Sequence, residues 1–421
     1  MFKTYFFKYT VVILTLLCGS PHVFSQEYDL LLKGGTVIDP KNKIERKTLD
    51  IAIKNDTIVA VKTNINTSSA KKTVDLKGYY VSPGIIDLHT HNFYGTKENH
   101  YLSDGFLALP PDGFTFRNGV TTVVDAGSPG WKNFEIFKNN VIDHSETRVL
   151  SFLNIVGEGM RGGVWEQDLQ DMNAKMTALT IQQHPELVGI KVAHYSGAEW
   201  TPIQRAVEAG EIADVPVMID FGGHQPPLSL TRLFMEELRP GDIFTHMYAN
   251  LSSVRMTILD PTTGILYDYA TKGREKGIIF DVGHGGGSFA FAQAIPAIDE
   301  DFFPDTISTD LHAESMNGGM KDMLNVMSKF LNLNMSLEQV INASTWKPAQ
   351  VIHHEELGNL SEGSIADIAV LSLLDGEFGF IDSSGKKMTG DKKLQCEMTV
   401  RAGKIVYDLN GLASPEWDSN L

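Results

Sequence analysis

Cysteine is almost absent from this chain of 421 residues, which holds only Cys18 and Cys396. Cys18 lies in an N-terminal stretch that is typical of a targeting segment, so the mature chain would keep Cys396 alone and form no intramolecular disulfide. A lipoprotein attached through Cys18 is the alternative for the N-terminus, but the bulky Leu17 before it disfavours this. At 42% hydrophobic and 21% charged residues, the chain instead has the composition of a soluble protein with a large buried core.

Positive charge is also scarce, because 36 Lys and Arg residues face 52 Asp and Glu residues and leave a formal charge of −16. This balance argues against nucleic acid and against an anionic membrane surface as partners. A homo-oligomer is compatible with the sequence. At this length, two domains, or one barrel with an accessory domain, are expected.

No apolar run is long enough to anchor the mature chain in a membrane. Residues 1–25 instead have the three parts of a signal peptide: basic Lys3 and Lys8, the apolar run Val11–Leu17 and the cleavage site Val23–Ser25. The sequence therefore predicts an exported protein with the periplasm as its destination and with no membrane anchor after cleavage. Loss of the two lysines would take the formal charge from −16 to −18.

Both ends of the mature chain are rich in β-branched residues with partial alternation, which is typical of strands. These segments are residues 26–82 and 356–421, and we expect them to form one small β-sandwich domain together. The centre, residues 83–355, alternates apolar runs with helical patterns, as parallel βα units do.

The centre contains eight apolar runs, the number that closes a (β/α)8 TIM barrel. They are Ile85–Leu88, Thr121–Val124, Val149–Ile155, Gly189–Val192, Pro216–Asp220, Asp242–Thr245, Gly277–Val282 and Thr306–Thr309. Functional side chains in such barrels lie at the carboxyl ends of the strands. Six of the eight runs end in or near a histidine, lysine or aspartate: His89 and His91, Lys191, His224, His246, His284 and Asp310.

His89 and His91 follow the first run at positions i and i+2. Alternate side chains of a strand point to one side, so the two imidazoles can converge on one point. Imidazole is the commonest metal ligand, and the pair would supply half of a four-coordinate site.

Each candidate also has an ordinary structural interpretation. Lys191 could be a lysine at a strand end whose ammonium reaches solvent, and His224 and His246 could be hydrogen-bonded loop residues. Asp310 could cap a helix. The remaining histidines in loop or helical contexts are interpreted as structural: His100, His144, His184, His353 and His354.

Five stretches carry a resemblance to a known family: Pro83–His91, Thr121–Gly127, Asp281–Phe289, Pro304–His312 and Ala343–Ala349. In them the chain resembles the metal-dependent amidohydrolase superfamily, in particular its dihydroorotase- and D-aminoacylase-like branch of small-acid deacetylases. The resemblance implies two zinc ions and six ligands: His89, His91 and Asp310 for the inner ion, His224 and His246 for the outer ion, and a carbamylated Lys191 that bridges them.

The resemblance further implies that Asp310 acts as proton acceptor in the hydrolysis of small N-acyl amino acids or O-acyl hydroxy acids. Five residues are expected near the substrate because of their positions beside these ligands or because glycine amides allow close approach: Tyr195, His284, Gly286, Gly287 and His312. Hydrolysis of a cyclic amide or lactone is the alternative, and a metal-free interaction module is a remote one. Two departures matter: Phe93 stands where dihydroorotases carry a carboxylate-binding arginine, and Ala126-Gly127 stands where D-aminoacylases carry a cysteine ligand.

Overall fold

The computed structural model describes residues 1–4, 26–220 and 226–417. The predicted signal peptide therefore lies almost wholly outside the described residues, and His224 does so as well. In the part of the chain that is described, no helix has the length and apolar character needed to cross a bilayer.

The N-terminal segment forms five strands before the first βα unit begins. They are β1 (Tyr28–Asp39), β2 (Ile44–Lys54), β3 (Thr57–Lys62), β4 (Ala70–Asp75) and β5 (Tyr80–Pro83). β1 pairs antiparallel with β2 and parallel with β4 and β5. Only Gly84 separates the end of β5 from the strand that starts at Ile85, so this first sheet leads directly into a second, parallel sheet.

Seven parallel strands form the second sheet, in sequence order from one edge to the other. They are β6 (Ile85–Thr90), β7 (Val120–Gly130), β8 (Arg148–Asn154), β9 (Leu187–Val192), β10 (Val217–Ile219), β11 (Ile243–Phe244) and β12 (Ile279–Phe280). The eighth predicted run, Thr306–Thr309, forms no strand of this sheet, but Thr306 makes an isolated parallel bridge to Asp281 and Leu311, two residues after the run, makes one to Thr90. The sheet is therefore curled until its two edges meet this segment, and the predicted α/β class is confirmed.

Ten α-helices, several of them short, follow the strands in the described chain. They are α1 (Phe134–Asn140), α2 (Ala174–Gln183), α3 (Thr201–Ala213), α4 (Leu230–Arg232), α5 (Asp268–Lys276), α6 (Phe291–Asp299), α7 (Ala313–Asn317), α8 (Met323–Leu331), α9 (Leu337–Ala343) and α10 (Trp346–Val351). Side-chain caps fix several starts: Asn173 accepts the Met176 amide at 3.1 Å, and Ser336 forms a capping box with Gln339 before α9.

Three C-terminal strands complete the first sheet: β13 (Ile368–Ile381), β14 (Lys387–Arg401) and β15 (Lys404–Asp408). β13 pairs with β5, so both termini contribute to one eight-stranded sheet. The hairpin of β13 and β14 is longer than the sequence indicates. Its outer half is mostly exposed and lacks a clear alternation, but it is held against α8, where the Leu394 amide donates to Ser328 Oγ at 2.9 Å.

Side chains of the parallel strands alternate between an inner and an outer core. Ile86, Val124 and Phe152 belong to the inner cluster, which α10 covers at the amino ends of the strands. Val123 and Leu153, one position away, belong to the larger cluster that contains the helices. This alternation leaves the carboxyl ends of the strands for polar side chains.

Phe280 of β12 lies at the centre of an aromatic cluster in the outer core. It is fully buried, and its ring centroid lies 5.4 Å from Phe234, 5.9 Å from Phe244 and 5.0 Å from Phe302. Edge-to-face pairs at these distances add to the stabilisation from burial alone.

We therefore expect Phe280→Ala to lower the free energy of unfolding by about 3–5 kcal/mol, because it removes a large buried side chain and leaves a cavity. The matched control is Leu179→Ala on α2, whose side chain is 50% exposed and should change stability by less than about 0.5 kcal/mol. Denaturant unfolding of both variants is the measurement. A loss below about 1 kcal/mol for Phe280→Ala would show that this cluster does not hold the outer core together.

Candidate metal centre

Polar residues at the carboxyl ends of the parallel strands converge on one buried site. His89 lies on β6 and Lys191 on β9, whereas Asp220 and His246 directly or closely follow β10 and β11. Asp310 lies in the segment that bridges the two sheet edges. All five are buried, as is His91. The sequence prediction that these strand ends share one location therefore agrees with the geometry for every predicted ligand that the structure describes.

The first group of donors contains His89, His91 and Asp310. Asp310 Oδ1 lies 3.0 Å from His91 Nε2 and 3.5 Å from His89 Nε2. One donor atom from each residue lies within 4.8 Å of the others, which is close enough for a single cation to contact all three.

A second group contains His89, Asp220 and His246, again within 4.8 Å of one another. His246 Nε2 lies 3.1 Å from Asp220 Oδ1. Lys191 Nζ lies 3.2 Å from Asp220 Oδ2 and 3.1 Å from His89 Nε2, and it is fully buried. Lys191 therefore contacts two members of the second group, one of which, His89, also belongs to the first.

Asp220 is the main residue that sequence reasoning missed. The fifth apolar run ends at Asp220, but the family resemblance assigns the ligand role to His224, four residues later. The sequence does contain a signal for Asp220, because an aspartate at the carboxyl end of a predicted parallel strand lies in the same position as the other candidate donors. His224 lies outside the described residues, so its role as a ligand stays a prediction.

Hydrogen bonds on the far side of each ring fix which nitrogen faces the site. His246 Nδ1 lies 2.5 Å from the Gly283 carbonyl, which can only accept, so Nδ1 donates and Nε2 is the nitrogen that faces Asp220 and the site. His89 Nδ1 contacts Thr245 Oγ1 at 3.0 Å, and that hydroxyl donates to Asp281 at 2.7 Å. His89 must therefore donate through Nδ1 as well, and its Nε2 is also free to bind a cation.

The pKa values of the donors favour the protonation states that a cation needs. Burial, with Lys191 nearby, lowers the pKa of His89 to about 3, so its imidazole is neutral near pH 7. Burial alone would raise the pKa of Asp220, but His246 and Lys191 outweigh it and hold this pKa well below its usual range. In Asp310, burial is likewise outweighed by His89 and His91, and the pKa is lowered. Neutral imidazoles and ionised carboxylates are the forms that bind metal.

Two glycines leave room for this arrangement. A Cβ on Gly283, at φ +45°, would lie 2.8 Å from His246 Nδ1, and one on Gly285, at φ +55°, would lie 2.4 Å from Asp310 Oδ2. Asp310 and His246 themselves adopt positive φ values of 52° and 57°. Such strain persists in non-glycine residues only where the surroundings enforce it, and it is concentrated at functional sites.

The donor set fits a divalent cation. Three imidazole nitrogens and two carboxylates are typical of zinc and related ions, whereas calcium and magnesium favour oxygen donors. The two overlapping groups could hold one ion each, with His89 and Lys191 between them.

Comparison with known proteins gives the family. A model described as "Amidohydrolase family" matches residues 290–406. A curated deacetylase of Brucella anthropi is 34% identical over 347 residues, which cover 80% of this chain and 83% of that protein. The chain belongs to the amidohydrolase family. It is therefore a hydrolase that acts on C–N bonds, and the resemblance carried by the sequence motifs is confirmed.

Two solved structures resemble this amidohydrolase along nearly their full lengths. One, described as an adenine deaminase, is 31% identical with a TM-score of 0.80 and covers 90% of this chain and 100% of its own. The other, described as a dihydroorotase, is 29% identical with a TM-score of 0.78 and covers 90% of this chain and 99% of its own.

The substrate contacts predicted for this amidohydrolase differ in how accessible they are. His284 is fully buried, stacked on Phe289, and its Nε2 lies 2.7 Å from Lys329 Nζ. Burial and Lys329 hold the pKa of His284 well below its usual range. Tyr195 is also buried, and its hydroxyl donates to Glu199 at 2.6 Å. Both residues are therefore held within the protein, and their contact with substrate stays a prediction.

The three other predicted contacts are two glycines, which are less buried, and His312, which is buried. Gly287 is exposed, with nothing within 4 Å of a Cβ built on it, and Gly286 is partly buried beside Ser315. His312 Nε2 lies 3.9 Å from Asp310 Oδ2, and its Nδ1 has no hydrogen-bond partner among the described residues. Of the three, His312 has the geometry best suited to a group bound beside Asp310.

A cavity of about 750 Å³ lies at the same end of the parallel sheet, between the loops that follow β6, β8 and β9. It is lined by residues that sequence reasoning did not single out, among them Tyr101, Arg161, Trp165, Glu166 and His194. His194, three residues after Lys191, lies 2.8 Å from Glu166. Burial alone would lower the pKa of His194, but Glu166 outweighs it and raises this pKa to about 9.

If Asp220 is a ligand, Asp220→Ala should weaken zinc binding at least about tenfold, since it removes a negatively charged donor from the second group. Zinc titration of the purified protein, followed by elemental analysis, is the measurement. Glu211→Ala, at an exposed position of α3, is the matched acidic control and should bind zinc normally. His224→Ala in the same series tests the histidine that the sequence predicts. Unchanged zinc binding by Asp220→Ala would exclude Asp220 from the centre.

Proposed function

We propose that this amidohydrolase uses zinc to remove the acyl group from small N-acyl amino acids or O-acyl hydroxy acids. The observation that carries the proposal is the buried cluster of His89, His91, Asp220, His246 and Asp310 around Lys191. The deacetylase name of a relative that is 34% identical supports the acyl substrate.

A carbamylated Lys191 is part of the proposal. Lys191 Nζ lies between a histidine nitrogen and a carboxylate oxygen that would both contact cations. A free ammonium cannot bind a cation and would be repelled by one at this distance. Addition of CO2 to Nζ, with release of two protons from the ammonium, would turn the lysine into an anionic carbamate that serves both groups, as the family resemblance implies.

A divalent ion bound by these donors would polarise the acyl carbonyl and lower the pKa of a water molecule. Asp310 supplies the proton transfer. One of its oxygens contacts His91 at 3.0 Å, whereas the other lies 3.9 Å from His312. This second oxygen accepts the proton of the attacking water and delivers it to the leaving amine or alkoxide. Tyr101, whose pKa is raised by burial and by nearby carboxylates, stays protonated and can donate a hydrogen bond.

Hydrolysis of a cyclic amide or lactone is the second candidate, and the similarity to a structure described as a dihydroorotase favours it. Phe93 speaks against a dihydroorotase-like substrate, because it stands where those enzymes bind a carboxylate. It is fully buried and packs on Phe137 at 5.1 Å between ring centroids, so no polar group from this position reaches the site.

Three further proposals concern the whole chain. The curled parallel sheet and residues 306–311 would form a complete (β/α)8 barrel over residues 83–355. The sheet built from both termini, residues 26–82 and 356–421, would be a β-sandwich domain. Residues 1–25 would be cleaved as a signal peptide during export to the periplasm, and N-terminal sequencing of the native protein checks this.

We expect Asp310→Asn to reduce kcat/KM by about 10²–10⁴-fold on the acyl substrate of the enzyme, because an amide cannot accept the proton. Zinc content should fall much less, since the other donors remain. The substrate is found by testing zinc-loaded protein on N-acetyl-D- and L-amino acids, O-acetyl hydroxy acids, hydantoins and lactones. Activity should disappear with a chelator and return with Zn2+ or Mn2+.

The matched control is Asp299→Asn at the exposed end of α6, which should leave turnover unchanged. A loss below about tenfold for Asp310→Asn with zinc retained would assign the proton transfer to another group. Full activity in protein shown to contain no transition metal would contradict the proposed reaction.

A further inference from the structure

The cavity lined by Tyr101, Arg161 and Trp165 is connected to the metal centre through short backbone contacts. The Tyr101 amide donates to the Arg161 carbonyl at 3.0 Å, which joins the loop after β6 to the loop after β8. The Met160 amide donates to the Ser128 carbonyl at 2.9 Å, and Ser128 Oγ contacts His91 Nδ1 at 3.0 Å. Arg161 is therefore held one residue away from a segment that also positions a metal donor.

Arg161 has few partners for its guanidinium. Nη1 contacts Glu158 at 3.4 Å, and Nε is buried with no hydrogen-bond partner among the described residues. A guanidinium carries five N–H donors, and buried donors in folded proteins are nearly always paired. The plane of the guanidinium is nevertheless well fixed, because its Cζ lies 3.7 Å from the ring centroid of Trp165.

The other charged residues near the cavity have ion-pair partners, although Glu166 Oε1 makes no hydrogen bond among the described residues. Glu166 and His194 pair with each other at 2.8 Å. Glu158 is shared, since it also lies 3.3 Å from Lys132, while Lys132 has its own partner in Asp171 at 2.6 Å. Arg161 is thus the cation of this cavity with unused donors. In a chain of formal charge −16, such a group marks a place for an anion.

The rest of the lining is suited to an apolar group. The cavity is lined by Tyr101, Leu107, Val164 and Trp165. Val164 is 78% exposed and Trp165 is 41% exposed. Exposed apolar residues collected at the mouth of a site are typical of ligand binding. A volume of about 750 Å³ is ample for a ring or branched side chain beside a carboxylate.

We propose that Arg161, supported by Trp165, binds the carboxylate of the substrate and that the cavity around it receives an apolar side chain of the leaving amino or hydroxy acid. This inference rests on the proposed deacylase function and names its specificity-determining residue. Bidentate recognition of a carboxylate by arginine explains why the guanidinium is fixed in its plane and yet short of partners.

The test compares substrates that differ only in the carboxylate: N-acetylphenylalanine, as both enantiomers, against N-acetylphenethylamine. Wild-type enzyme should prefer the acid. Arg161→Met should lose roughly 10–100-fold in kcat/KM on the acid, mainly through KM, because a charge-assisted contact to the bound substrate is gone. On the neutral amide it should change less than about threefold. Arg161→Lys should recover part of the preference.

Arg232→Met is the matched control, because Arg232 also lies over a tryptophan, 4.4 Å from Trp200, but pairs with Glu237 at 2.7 Å. It should retain the wild-type preference for the acid. Equal losses on acid and amide in Arg161→Met would mean that Arg161 only supports the loop, and the inference would be overturned. The same follows if the wild type shows no preference.

A binding measurement separates this inference from the proposed reaction. Metal-loaded wild-type protein, Arg161→Met and Arg161→Lys are each titrated calorimetrically with phenylacetate and with 2-phenylethanol. Phenylacetate should bind the wild type more tightly than 2-phenylethanol does. It should bind Arg161→Met roughly tenfold more weakly, or weaker still, than it binds the wild type. If no acyl substrate is hydrolysed but this pattern holds, only the proposed reaction fails. Equal binding of phenylacetate by wild type and Arg161→Met, or none by wild type, rejects the role of Arg161.

Discussion

The hydrogen bonds made by Asp281 hold the candidate metal donors in place. Its carboxylate accepts from Thr245 at 2.7 Å, from Thr306 at 2.6 Å and from Ser308 at 2.7 Å, so it ties β11 to the segment that bridges the sheet edges. Through Thr245 it also sets the ring of His89, which belongs to both donor groups. Because this carboxylate is fully buried, its three donors are needed to compensate its charge, and the site depends on their staying together.

The convergence of the candidate metal donors could be predicted from the sequence because parallel strands present their carboxyl ends at one edge. The sequence places His89, His91, Lys191 and Asp310 at such ends, and their role as ligands stays a prediction. Asp220 closes its strand as they do, but the family resemblance assigns the ligand of that strand to His224 instead. Arg161, for which we propose a role in substrate binding, could not be predicted for a different reason: its place is set by a contact between two loops, and a chain's periodicity carries no information about such contacts.

The fold shows the same division. The apolar runs predict the strands of the parallel sheet because their side chains are buried on both faces. The outer half of the β13–β14 hairpin could not be predicted, since its strands are mostly exposed and are stabilised by pairing with each other and by contacts to α8. The positions of the candidate metal donors can thus be predicted from local sequence patterns. The cavity that would determine substrate specificity depends on how loops distant in sequence pack against each other.

The most direct test of the account is an anomalous diffraction map collected at the zinc edge from crystals of the zinc-loaded protein. The account predicts two peaks at the carboxyl ends of the strands, one contacting His89, His91 and Asp310 and the other contacting Asp220 and His246, with additional density on Lys191 Nζ between them. A map with no peak among these residues, from protein that hydrolyses its substrate, would contradict it.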